Sequence, residues 1–198
     1  MNQSNALIIF SKNLVWGKVK TRLAASVGKE KAFNVYKELL FHTKTVVQEV
    51  DADKVVYYSD HVEQNDIWGD YRKAMQQGAD LGERMAQAFK EVFQCGYLKA
   101  VIIGTDCPAL DGAMIQAAFD HLEEQEVVIG PAYDGGYYLL GMKTLQESLF
   151  QNIAWSTNTV YEATMAACRQ QGLSYAVLPL LHDIDEEKDL VYFKTVRI

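Results

Sequence analysis

Ala6-Leu7-Ile8-Ile9-Phe10-Ser11-Lys12-Asn13-Leu14-Val15-Trp16-Gly17-Lys18-Val19-Lys20-Thr21-Arg22-Leu23 joins an apolar run to a cationic loop and then to a helix-compatible stretch. Residues 6–10 read as a short buried strand. Lys12, Lys18, Lys20 and Arg22, with Gly17 among them, then gather positive charge at its carboxyl end. Open α/β sheets bind ligands at that edge, and phosphates favour helix N-termini and nearby cations. The stretch predicts a phosphate-bearing ligand, most simply a nucleotide.

Lys18, Lys20 and Arg22 are spaced two apart, so an extended chain would put them on one side and a helix would spread them. Gly17 permits a turn that brings backbone N–H groups close to a ligand. Arg22 can grip a phosphate with two parallel donors, while Lys18 acts as a mobile point charge. The competing reading is a solvated surface loop. The GxxxxGK[ST] spacing of a Walker A loop is absent.

Away from this loop the chain is acidic, with a formal net charge of −7 over 198 residues. That excludes broad nucleic-acid binding, which needs an excess of Lys and Arg. A mononucleotide is not excluded, because a local cationic loop dominates the field of a cleft. Cys95, Cys107 and Cys168 are odd in number and far apart, which fits reduced thiols in the cytoplasm. No secretory signal opens the chain, and no apolar run approaches the length of a membrane span.

Short apolar runs alternate with amphipathic stretches, the pattern of an α/β domain. Strands are expected at 6–10, 54–58, 100–103, 127–129, 137–140 and 175–178, with a weaker one at 71–76. Helices are expected at 29–50, 81–93, 111–125 and 159–171. Thr159 and Glu162 fit a capping box, and Gly172 a C-terminal stop. No repeat or linker interrupts residues 1–198, so one domain is expected.

Four further constellations could carry chemistry. Asp106 follows the buried strand in Gly104-Thr105-Asp106-Cys107-Pro108, where a carboxylate needs a cation, a donor or water. It suits Mg²⁺ or Mn²⁺; the bland reading is that Asp106 or Asp111 caps the next helix. In His182-Asp183-Ile184-Asp185, alternation puts both carboxylates on one side, so that either could complete a metal site. Acidic N-capping explains Asp185-Glu186-Glu187 equally well, and His182 reads as structural. Asp134-Gly135-Gly136 is a hairpin signal, or Asp134 serves an acceptor hydroxyl as a base. In Gly78-Ala79-Asp80-Leu81-Gly82-Glu83-Arg84, Asp80 and Glu83 suit a capped helix start, and Arg84 could reach a phosphate. Trp155-Ser156-Thr157 either caps a helix or walls the cleft.

Taken together, Lys18 to Leu23, Gly78 to Met85, Gly104 to Pro108, Asp134 to Tyr138, Trp155 to Thr157 and Asp183 to Asp185 resemble a bacterial family known as a domain of unknown function. It is also called radical-SAM/selenodomain-associated transferase type 1, and it is similar to nucleotide-diphospho-sugar transferases. The resemblance implies a three-layer α/β/α, glycosyltransferase-A-like fold with a mixed, mostly parallel sheet. It implies phosphate binding by the cationic loop, a divalent metal on Asp106, and a second metal bond from Asp185; Gly78 and Arg84 are expected on the residue reading to add to the phosphate site. The chain departs from the family at Leu14-Val15-Trp16-Gly17, where a proline usually precedes the glycine.

The leading expectation is a Mg²⁺- or Mn²⁺-dependent transferase using a nucleotide-sugar donor and an unidentified small-molecule acceptor, with Asp106 and Asp134 in the reaction. The nearest alternative is nucleotidyl transfer from a nucleoside triphosphate to a phosphorylated acceptor, with release of pyrophosphate. Three clustered cations suit a triphosphate; the missing GxGxR-type opening speaks against it. A non-catalytic nucleotide-binding module is the third reading.

Overall fold

The computed structural model describes residues 4–193. Among them, β1 (Asn5–Ser11), β2 (Asp53–Tyr58), β3 (Arg72–Met75), β4 (Lys99–Ile103), β5 (Val127–Pro131), β6 (Tyr137–Met142) and β7 (Tyr175–Val177) form one sheet, ordered β3-β2-β1-β4-β6-β5-β7. Neighbouring strands are parallel except at β6, which is antiparallel to both β4 and β5. The expected mixed, mostly parallel sheet is present. Because β6 alone is reversed, its first residue lies at the edge where the other strands end. Ser11, Tyr58, Ile103, Pro131 and Tyr137 therefore share one rim.

The period-two alternation of the strands divides the interior into two layers. Leu7, Ile9, Val56, Val101, Ile103 and Val128 face Tyr36, Leu40 and Val47 of α2 (Lys29–Gln48) and Ile115, Phe119 and Leu122 of α4 (Gly112–Glu124). Ala6, Ile8, Val55, Ala100, Ile102, Ile129 and Leu140 face Met85, Phe89 and Val92 of α3 (Leu81–Gln94) and Met165 and Cys168 of α5 (Val160–Gln171). Strands buried on both faces read as continuous apolar runs, which is why β1 and β4 are legible. A third cluster joins Leu23 of α1 (Thr21–Val27) to Ala32, Val35, Leu39 and the fully buried Ile184.

Two helix starts match expectation. Asp80 Oδ1 accepts from Glu83 N–H at 2.9 Å, and Asp111 Oδ1 from Met114 N–H at 2.8 Å. The third does not. Thr159 precedes α5 without a side-chain cap, and its hydroxyl instead lies 2.8 Å from that of Thr157. The local pair outcompetes the predicted capping box. No helix among the described residues is long and apolar enough to cross a membrane.

Candidate active site

The cationic loop does not run extended as its alternation predicted. Gly17 turns the chain at φ 72°, and Lys20 stands before α1 in a left-handed conformation, φ 48° and ψ 48°. For a residue with a Cβ this costs on the order of 1–2 kcal/mol, so other contacts must hold it. The turn sends Lys18 and Arg22 to the surface and sinks Lys20, which keeps only 4% exposure. All three still line one cleft of about 550 Å³ at the sheet rim, with Lys12, Asp106, Asp134, Asp183 and Asp185. Gly17 and Gly78 do not line it. A Cβ at Gly78 would sit 2.7 Å from Arg84 N, and its carbonyl accepts from Arg84 Nε at 3.1 Å, so this glycine shapes the start of α3. Arg84 opens into an adjoining chamber of about 390 Å³, which shares Lys12, Asp106 and Asp183 with the cleft.

Lys20 is the electrostatic centre. Its Nζ lies 2.7 Å from Asp106 Oδ1 and 3.6 Å from Asp185 Oδ1, and Arg22 Nη1 is 3.0 Å from Asp185 Oδ2. The Lys20–Asp106 contact is a close, buried ion pair. Burial disfavours the charge on both partners, but attraction outweighs it. Lys20 is held above its ordinary value by Asp106, Asp185 and Asp183, and Asp106 below its own by Lys20 and Lys12.

Asp183 behaves in the opposite way. Burial, then the neighbouring Asp106 and Asp134, push its carboxyl up to about 7 against the pull of Lys20. Its Oδ1 is buried without a hydrogen-bond partner. Ile184, fully buried between two carboxylates that line the cleft, anchors them there as alternation predicted, and its N–H reaches Asp106 O at 2.9 Å. Asp106, Asp183 and Asp185 offer oxygen donors of the kind Mg²⁺ and Mn²⁺ accept. Among the described residues no three His, Cys, Asp or Glu side chains are drawn together tightly enough to hold a metal ion by themselves.

Asp134 turns the β5–β6 hairpin as expected, accepting Gly136 N–H at 2.8 Å through Oδ1, and it also lines the cleft. Trp155, Ser156, Thr157 and Asn158 form the opposite wall. This wall is tightly seated, because a Cβ at buried Gly82 would collide with the Trp155 indole and one at Gly135 with the Asn158 backbone. Sequence reasoning missed the braces beneath the loop. Tyr36 Oη donates to Lys12 O at 3.1 Å and accepts Lys12 N–H at 2.9 Å, with Thr105 Oγ1 3.2 Å away. Buried Asn13 donates to His61 O and accepts from Asp60 N–H, tying the end of β1 to that of β2. A tyrosine inside an apolar helical stripe carries no mark of such a role.

The family model described as "uncharacterized protein conserved in bacteria (DUF2064)" matches residues 42–157, more than half of the chain. The chain belongs to this family. A crystal structure from Desulfovibrio desulfuricans G20, of a protein provisionally assigned as a nucleotide-diphospho-sugar transferase, is 33% identical, with a TM-score of 0.90 over 98% of this chain and 87% of that one. The inositol-1-phosphate CTP transferase of T. maritima shares the fold at 14% identity and a TM-score of 0.59, over 95% and 93% of the two chains. So does the 4-diphosphocytidyl-2C-methyl-D-erythritol synthase of Anaerococcus prevotii DSM 20548, at 10% identity and 0.59, over 96% and 94%. No curated protein matches the chain.

Proposed function

We propose that this protein is a transferase that binds a nucleotide-diphospho-sugar and passes the sugar to an acceptor hydroxyl, with Mg²⁺ or Mn²⁺ held by Asp106 and Asp183. One observation carries the choice of donor. Lys20 and Arg22 are committed to carboxylates, whereas Lys12 and Lys18 line the cleft with no ion-pair partner among the described residues. Two uncommitted ammonium groups suit a diphosphate better than a triphosphate, which needs more countercharge. The assignment of the Desulfovibrio relative supports the same reading.

The donor set fits the ion. Asp183 Oδ1 is a buried oxygen without a partner, while both oxygens of Asp185 already face Lys20 and Arg22. Asp183 is therefore the better companion to Asp106. When bound, the ion supplies positive charge to the leaving diphosphate. Lys12 and Lys18 bind phosphate oxygens, and Lys20 keeps Asp106 ionised. The acceptor oxygen bonds to the anomeric carbon as the bond from that carbon to the phosphate oxygen breaks. The nucleoside diphosphate leaves with the electron pair, and the Asp134 carboxylate takes the hydroxyl proton.

Calorimetric titration with UDP-glucose, GDP-mannose, CTP and GTP, each with Mg²⁺ or Mn²⁺, tests the proposal. Nucleotide-sugars should bind with the ion; Asp106→Asn should abolish the gain from metal, and Lys18→Ala should weaken binding even without it. Tighter triphosphate binding with pyrophosphate release would move the assignment to nucleotidyl transfer. Binding without turnover would leave a nucleotide-binding module, and no binding would overturn the site.

A further inference from the structure

Beside the cleft lies a second chamber of about 420 Å³, which shares Arg22, Asp134, Asp183 and Asp185 with it. Its size falls within the roughly 300–1,000 Å³ usual for small-molecule sites. His182 stands in its wall between two tyrosines. The imidazole centroid is 3.7 Å from the Tyr133 ring at an interplanar angle of 7°, and 3.6 Å from the Tyr192 ring at 10°. A ring covered on both faces can meet a ligand only through its edge. Neither nitrogen of that edge makes a hydrogen bond among the described residues.

The two cations of the chamber are already paired within the protein. Arg22 pairs with Asp185 at 3.0 Å, and Lys188 with Glu186 at 2.9 Å. Asp189 Oδ2 accepts the N–H groups of Asp185 and Glu186 at 3.0 and 2.8 Å. What lines the space without a committed partner is the second oxygen of Asp134 and the imidazole of His182. A phosphate placed there would meet carboxyl groups and no free cation, a costly burial. A hydroxyl group would donate to Asp134 and bond to the imidazole edge. Tyr133 remains 59% exposed and adds aromatic surface for the ring of a sugar.

From this arrangement we infer that the chamber walled by Tyr133, His182 and Tyr192 is the acceptor site, and that it takes an uncharged, hydroxyl-rich molecule of the sugar class, positioned by the edge of His182. The assignment of the chamber to an acceptor rests on the transferase reading above.

The test is an NMR titration of protein labelled with ¹⁵N at its four histidines. The probes are the methyl glycosides of glucose, galactose and mannose and, in parallel, the three hexose 1-phosphates. The glycosides should shift the His182 ring signals, identified by their loss in His182→Phe, and bind at least tenfold more tightly than the phosphates. His182→Phe keeps an aromatic ring in the stack but no nitrogen, and should weaken the glycosides at least tenfold. Should that variant fail to fold, Tyr133→Leu removes one side of the clamp and should weaken them too. Unmoved His182 signals, equal or tighter binding of hexose phosphates, or glycoside binding unaltered by the variant would overturn the inference. A titration of the wild-type protein with UDP, GDP, CDP and ADP, each with Mg²⁺, reads the cleft separately. Glycoside binding without binding of any nucleotide strikes the transferase reading and the acceptor role with it, leaving only a sugar site; nucleotide binding without glycoside binding strikes the chamber alone.

Discussion

Lys20 Nζ rests 2.7 Å from Asp106 Oδ1, and the backbone that delivers it is left-handed at a residue with a full side chain. A strained backbone at a buried cation persists only where its surroundings over-determine it. Here the surroundings are carboxylates, so the protein carries an internal countercharge at the place where a divalent cation is proposed to bind.

Lys20→Met should therefore leave Asp106 without its close countercharge and Asp185 with Arg22 alone. Removing one partner of a fully buried pair costs about 3–5 kcal/mol. Asp106 is one-third open to the cleft, so about 1–3 kcal/mol is expected after allowing for solvent. Urea unfolding measures the loss, and Mn²⁺ should restore more stability to the variant than it adds to the wild type.

Asp183 makes stability depend on pH. With its carboxyl pushed up to about 7 by burial, Asp106 and Asp134, the folded protein retains a proton that the unfolded chain releases near pH 4. Stability consequently falls as pH rises between those values, and the penalty is complete above about pH 7. Asp183→Asn should gain on the wild type from pH 5 to pH 8 in EDTA. Each kcal/mol should appear as about 2–4 °C in Tm.

Asp111 and Asp106 separate a carboxylate that builds the fold from one that builds the site. Asp111→Ala removes the α4 cap and should cost about 1 kcal/mol while nucleotide titrations stay unchanged. Asp106→Asn should show the reverse emphasis, losing metal-dependent binding. Parallel calorimetry and thermal unfolding check the pair.

Ile184 ties packing to chemistry. Ile184→Ala empties a fully buried position and should cost about 2–4 kcal/mol, with nucleotide binding weakened because Asp183 and Asp185 lose their anchor. Ile184→Val should cost about 0.5–1.5 kcal/mol and leave binding near wild type. Equal binding losses in the two variants would contradict this account.

The parts legible in the sequence are those with a local cause. β1 and β4 are apolar throughout because both faces are covered, and Asp80 and Asp111 cap because their N–H partners lie three residues on. Lys20 was legible as a cation but not as a buried one: its partners sit at residues 106 and 185, and nothing beside it in the chain distinguishes it from exposed Lys18. Thr159 and Glu162 matched a capping pattern that a nearer hydroxyl defeated. His182 carried no signal, because its clamp forms only when parallel pairing sets Ala132 beside Leu181 and brings Tyr133 alongside.

The Trp155 indole lies where any side chain at Gly82 would have to go. Positions 82 and 155 are thus a single choice made twice in the chain. A descendant that enlarges one must shrink or redirect the other, so the wall that fences the cleft can drift in evolution only in step with the first turn of α3.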